Sequence, residues 1–164
     1  MIARRINGWV VLAALTLAGC QAPPAADYQP LVARCFLEAR PGEAGVPVRL
    51  PVSRLEIKIN PKPVFVEYDI RDAAEAHVDL GDCLLLQLTP AATRDLYRLS
   101  VSNLGRRLVL FLNDAPVGAR RIEQAMSDGV ILVFVEQPDA ELPGLVARLQ
   151  RSAADIAAAA RKSP

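Results

Sequence analysis

The chain has little of what chemistry on small molecules usually needs. It holds one histidine (His77), one tryptophan (Trp9) and only 5 % aromatic residues. A single imidazole argues against a histidine-built metal centre, and it leaves any serine-based triad with His77 as its sole base. No CxxC or HxxxH spacing surrounds it, and no GxSxG, GxGxxG or phosphate-loop pattern occurs in the sequence. The expectation is a protein with no catalytic residues, no metal ligands and no cofactor, in which His77 is a solvated residue at a sheet edge. Charge of one sign is missing too: 19 basic residues nearly cancel 18 acidic ones. That balance gives no electrostatic footprint for nucleic acid. Long apolar runs are also absent. The longest near the start, residues 9–16, falls well short of the ~20 residues that span a bilayer as a helix.

What that short run does match is an export signal. Arg4 and Arg5 precede it with no acidic residue nearby, and Leu17-Ala18-Gly19-Cys20 follows it. A positive start, an apolar stretch of about 7–15 residues and small residues at a cut site make a signal peptide. The last four residues resemble the lipobox of bacterial lipoproteins. That resemblance implies cleavage after residue 19 and a diacylglyceryl group on the thiol of Cys20. Membrane attachment would follow from about 0.8 kcal/mol per buried methylene, with more than one acyl chain needed for stability. Gln21 in place of aspartate favours the outer membrane by the same resemblance, with the protein facing the periplasm. Losing residues 1–19 takes away two basic residues and no acidic one, which leaves 17 against 18 and a net charge of −1. Residues 20–30 are rich in Ala and Pro and read as a tether. Residues 31–164 then form one periplasmic domain, long enough for a core of its own.

Two cysteines remain, Cys35 and Cys83. An even pair in an oxidising compartment is a candidate disulfide. It would stabilise by about 4 kcal/mol through loop closure. Two buried thiols that never meet are the alternative.

The pattern along the domain alternates between strands and two helices. Residues 31–38 read as a strand that Arg40-Pro41-Gly42 breaks. Residues 55–60 alternate apolar and polar, the period of a half-buried strand, and Pro61 and Pro63 are expected to interrupt it. Residues 64–70 read as extended, and 75–78 as a short edge strand able to accept a partner's strand. Residues 82–88 form a leucine-rich strand. Thr89-Pro90 starts a helix to about residue 103, because a Thr hydroxyl can take an orphan N–H and proline has none to lose. Ala92, Leu96 and Leu99 share its inner face, and Gly105 supplies a left-handed end. The apolar run 108–112 suggests a strand covered on both faces or lying at an oligomer contact. Asn113-Asp114 predicts a hairpin to residues 116–122, and Asp128-Gly129 a turn before a strand at 130–135. Leu142, Leu145, Val146, Leu149, Ala153 and Ile156 recur at three- and four-residue steps, the stripe of a final helix. The expected fold is α+β: one mixed or antiparallel sheet with two helices on one face.

Residues 83–153 resemble the head part of the first periplasmic domain of SecD, from the SecDF complex of protein export. Leu88-Thr89 ending a strand, a helix, then Asn103-Leu104-Gly105-Arg106-Arg107 before residues 108–112 follow that family's order. The Asn113-Asp114 turn, Pro116-Val117 and Ile122, Asp128-Gly129 and the helix from Leu142 continue it. The resemblance implies a periplasmic head fold and contact with polypeptides. SecD's several membrane-spanning helices have no counterpart in this sequence, so its energy transduction is not implied.

The remaining charged residues have ordinary readings. Glu67, Asp69, Asp72, Glu75, Asp79 and Asp82 lack the DxDxDG calcium loop and read as a solvated acidic stretch. Arg94, Arg98, Arg106, Arg107, Arg120 and Arg121 read as their surface ion partners, with a basic patch for lipid heads or peptidoglycan as the alternative. The functional expectation is a non-enzymatic, lipid-tethered module that binds an envelope protein or a translocated polypeptide. The alternative is a carrier of a small ligand or lipid, with residues 108–112 lining its pocket.

Overall fold

The computed structural model describes residues 30–162. The signal at 1–19, the lipidation site Cys20 and the tether up to residue 29 lie outside the described residues. In chain order the strands are β1 (Ala33–Glu38), β2 (Val46–Arg49), β3 (Glu56–Phe65), β4 (Ile70–Val78), β5 (Gly81–Leu88), β6 (Arg107–Leu112), β7 (Ala115–Arg121) and β8 (Val130–Val133). Helix α1 (Pro90–Ser102) follows β5, and α2 (Leu142–Lys162) closes the described chain. No helix among the described residues is long and apolar enough to cross a membrane.

The class is α+β, with antiparallel pairing throughout, but the strands divide between two sheets where one was expected. The larger has the order β2-β3-β1-β6-β7 and the smaller β4-β5-β8. Among the described residues, one isolated bridge, Gly118 to Val135, links them. Beyond that bridge β7 and β8 splay apart, and sequence periodicity carries no record of such a divergence.

Local chemistry starts and stops the elements as the residues dictate. Thr89 Oγ1 accepts from the Ala92 N–H at 3.4 Å, and Pro90 opens α1. Gly105, at φ +83°, ends that turn in the left-handed region. Asn113 and Asp114 sit at φ 48° and 66°. Two positive φ values in a two-residue loop are the type I′ geometry that matches strand twist.

Packing explains the unbroken apolar run of β6. Alternation sends Leu108, Leu110 and Leu112 into the main core, together with Leu84, Leu86, Leu96, Ile131 and Leu145 from the second sheet and both helices. It sends Val109 to the other face, where Leu50, Ile57 and Ile59 form a small second core. Phe36 and Phe111 pack there edge-to-face, with centroids 5.0 Å apart. Both faces of β6 are therefore packed, and residues 108–112 do not line a ligand pocket.

Other expectations need correction. Pro61 and Pro63 do not interrupt β3, which runs on to Phe65. β2 pairs with β3 only over residues 56–59, so one side of β3 carries no β2 partner past Ile59, and the pairing with β1 is bulged there. Proline is tolerated at such an edge because it has no ladder N–H to lose. Residues 64–70 are not continuously extended: a 3-10 turn at Glu67–Asp69 intervenes. The edge strand expected at 75–78 is the end of the nine-residue β4. β2, a short exposed strand containing Pro47, had no clear sequence signal.

Cys35 and Cys83 are free thiols. Cys35 shares the main core with Ala33 and Leu37. Cys83 has the opposite parity to Leu84, Leu86 and Leu88 on β5 and so lies on the other face of its sheet. There its thiol donates to the Ala76 carbonyl at 3.4 Å. Burial raises the pKa of both thiols, so neither is an activated nucleophile.

The packing predicts a contrast. Leu84 is 0 % exposed and Leu80 is 84 % exposed. Leu84→Ala should cost about 2–5 kcal/mol in urea unfolding, and Leu80→Ala less than about 0.5 kcal/mol. A small loss for Leu84→Ala would mean that the two sheets do not share one core.

Candidate functional site: a groove between the two sheets

The residues singled out for chemistry do not assemble. His77 rides near the exposed end of the β4–β5 hairpin, its Nδ1 2.6 Å from Asp82 Oδ1, with 81 % of its side chain exposed. Among the described residues no three His, Cys, Asp or Glu side chains are placed to hold a metal ion. The acidic stretch splits between a 3-10 turn and β4: Asp69 caps the Val66 N–H at 3.0 Å, and Asp72 caps Ala73 at 2.8 Å.

Five of the six arginines named, Arg98, Arg106, Arg107, Arg120 and Arg121, have partners outside the acidic stretch, while Arg34 on β1 meets its Glu67 at 3.8 Å. Arg107 pairs with Glu38 at 3.0 Å, and Arg98 with Asp95 at 3.7 Å. Arg106 donates to the Glu38 carbonyl and to Asn103. Arg121 Nε donates to the Gly105 carbonyl at 3.0 Å. The edge of β4 is partly closed, because Gln150 Nε2 donates to the Ala73 carbonyl at 2.8 Å.

A different place is open. The splay of β7 from β8 leaves a groove of about 380 Å³. Its apolar lining comes from Leu132 on β8 and Phe134 just past it, Val78 and Leu80 at the β4–β5 turn, and Ala119 on β7. Arg120, Arg121 and Glu123 supply its charge. Leu80 at 84 % and Phe134 at 38 % are exposed large apolar side chains, and their burial by a partner would be favourable at about 25 cal/mol per Å².

Two contacts shape the groove. At its closed end β7 approaches the chain after β8 so tightly that a Cβ on Gly118 would lie 2.3 Å from the Phe134 carbonyl oxygen. Only glycine permits that approach. Further along, Arg120 Nη1 donates to the Leu132 carbonyl at 3.1 Å. The register of the Gly118–Val135 bridge would set Arg121 opposite Leu132, so the guanidinium of Arg120 stands where backbone would have continued the ladder. Sequence reading named Val78 and these arginines for other reasons and missed Leu80 and Phe134. The available signal was an apolar residue, Leu80, in a two-residue hairpin turn where polar residues are the norm.

Just past the groove, Glu136 locks the junction. Its N–H donates to the Val117 carbonyl at 2.6 Å. Its carboxylate accepts from the Val52 N–H at 2.7 Å and the Ser53 N–H at 2.9 Å, tying down the loop over the small core. Burial pushes its pKa up, but the hydrogen bonds from Ser53 and Val52 outweigh that and hold it below the ordinary value.

No family model and no curated protein matches the chain. Three solved structures of SecDF do match. One, described as a membrane component SecDF that enhances protein export, superposes with a TM-score of 0.57 at 21 % identity, covering 76 % of this chain and 64 % of its own. SecDF in a super-membrane-facing form gives 0.58 at 20 % identity, over 76 % of this chain and 19 % of that one. SecDF from Thermus thermophilus, a translocon-associated membrane protein, gives 0.51 at 20 % identity, with 76 % and 20 % covered. The chain has a SecDF-like fold. It spans less than two thirds of the first of these proteins and about a fifth of the other two. At this identity the likeness is one of fold.

The lowered pKa of Glu136 gives a pH prediction. A depressed carboxylate stabilises the fold above its unfolded pKa, and the effect is lost as pH falls through the folded value. Glu136→Gln should therefore be less stable than the wild type at pH 7, and the gap should narrow on acidification. Denaturant titrations of both proteins across that range check this; a gap that stays constant would show that the carboxylate charge does not hold the loop.

Proposed function

We propose that this protein is a lipid-anchored, non-catalytic accessory module of the cell envelope that binds polypeptides and serves protein export. The carrying observation is the groove: an open, mainly apolar cleft between two strands, with exposed Leu80 and Phe134 at its rim. Its shape and lining suit a chain that passes through more than a small molecule that must be enclosed, since ligand pockets bury most of their ligand. The SecDF-like fold supports the reading by analogy only, because one fold serves many functions. The sequence supports the address, a membrane surface facing the periplasm, through residues 1–19 read as signal and Cys20 read as the lipid acceptor.

A photoreactive residue placed at Leu80 in living cells tests this, with Tyr68, exposed and away from the groove, as the control position. Crosslinks from position 80 to export-machinery proteins or newly translocated chains, absent from position 68, are expected. Capture of lipid alone from position 80 would replace the protein-binding reading with the carrier one. Equal capture from both positions would remove the groove as the site.

A further inference from the structure

The free side of β8 is closed by side chains instead of a strand. β8 pairs with β5 alone within its sheet. The Leu88 N–H donates to the Gly129 carbonyl at 2.8 Å, so Gly129 faces β5. Alternation along the strand then turns the backbone groups of Ile131 and Val133 toward β5, and those of Val130 and Leu132 away from it, with Leu132 in the groove. Both outward residues carry a substitute partner. The Val130 N–H donates to Asp128 Oδ1 at 3.0 Å, and the Leu132 carbonyl accepts from Arg120 at 3.1 Å. Side-chain caps of this kind blunt an exposed edge without removing its pairing capacity.

We infer that the groove takes an extended polypeptide segment as an added strand on β8, with the Arg120 side chain displaced from Leu132. This deepens the protein-binding reading and rests on it. The occupant is defined by three features. Its backbone pairs with Val130 and Leu132, which only a strand can do. Its inward side chains are apolar, to lie on Leu132, Phe134 and Leu80. It carries a carboxylate near the point where Arg120 is released. Arg120 and Arg121 against the single Glu123 leave the lining net positive, and a freed guanidinium pairs most strongly with a carboxylate. Arg120 therefore keeps the edge closed while the groove is empty and selects for acidic segments when it is filled.

The test uses the full-length protein in detergent and three fluorescent peptides of eight residues each. One alternates valine and threonine, one alternates valine and glutamate, and one is the valine–glutamate peptide N-methylated at alternate residues along one edge. Anisotropy should show the acidic peptide binding more tightly than the neutral one, and N-methylation should weaken binding at least roughly tenfold, the loss of about one net hydrogen bond. Arg120→Met should tighten the neutral peptide and abolish the preference for the acidic one. In the wild-type protein, peptide should slow hydrogen exchange at the Leu132 amide, a readout that does not depend on the variant folding. Equal binding of the methylated and unmethylated peptides would overturn strand addition while leaving a side-chain-lined protein groove. If no peptide binds, strand addition is overturned; crosslinks from Leu80 in cells would then still support the broader reading, and their absence would remove both. A concentration-dependent dimer that competes with peptide would assign the edge to a second copy and overturn the inference.

Discussion

The approach of Gly118 to the Phe134 carbonyl is the contact on which the arrangement depends. Among the described residues it is the one place where the two sheets share a bridge, and no side chain larger than hydrogen fits there. Because the sheets meet at that point, Val117 and Ile122 from the β7 side and Ile131 and Val133 from β8 reach the same core. Because the sheets are not joined beyond it, the same strands leave a groove on their other side. Core and groove are two consequences of one close contact followed by divergence.

Burial holds this geometry from both faces of the larger sheet. β6 is packed by the main core on one side and by the small core on the other. A strand without a solvated face is fixed in register, since a one-residue slip would exchange the two sets of side chains. The loop over the small core has little packing of its own and is fastened by charge, through the Glu136 carboxylate on the Val52 and Ser53 amides. That fastening begins one residue after Val135, so the junction and the loop are secured together. Buried hydroxyls serve the same purpose elsewhere. Ser100 accepts from the Met126 N–H at 2.9 Å and Ser152 from the Leu31 N–H at 2.8 Å, each holding an irregular segment against a helix. Without these partners the buried amides would carry a desolvation cost of about 1–3 kcal/mol each.

The groove lies on the outer side of the smaller sheet, where the chemistry is that of backbone and apolar surface. His77 is exposed near the hairpin end, and both thiols are buried with raised pKa values. The unusual feature is an edge strand whose polar groups are answered by Asp128 and Arg120. An arginine that bonds to a carbonyl can be exchanged for a backbone N–H without leaving either group unpaired, provided that the guanidinium finds an acceptor in the incoming chain. Such an exchange would keep the empty edge from pairing with other chains, and would couple occupancy to the charge of the occupant.

The sequence by itself determined the local elements and the α+β class. Thr89-Pro90, Asn113-Asp114, Gly105 and the stripe from Leu142 to Ile156 each act within a few residues, through capping, turn conformation or helical period, so their outcome is written in the chain. It also pointed to β6 as a strand with no solvated face, because its apolar run is unbroken, but left open whether core, pocket or a second chain covers it. Only the tertiary structure decided that the strands form two sheets, that β3 runs through Pro61 and Pro63, that Cys35 and Cys83 point to different faces, and that Arg98, Arg106, Arg107, Arg120 and Arg121 meet Glu38, Asp95 and carbonyl groups instead of the acidic stretch around β4. These outcomes depend on which strands become neighbours and where their twist separates them. That is set by packing between residues far apart in the chain, so Leu80 and Phe134 become one groove only when the two sheets meet at Gly118.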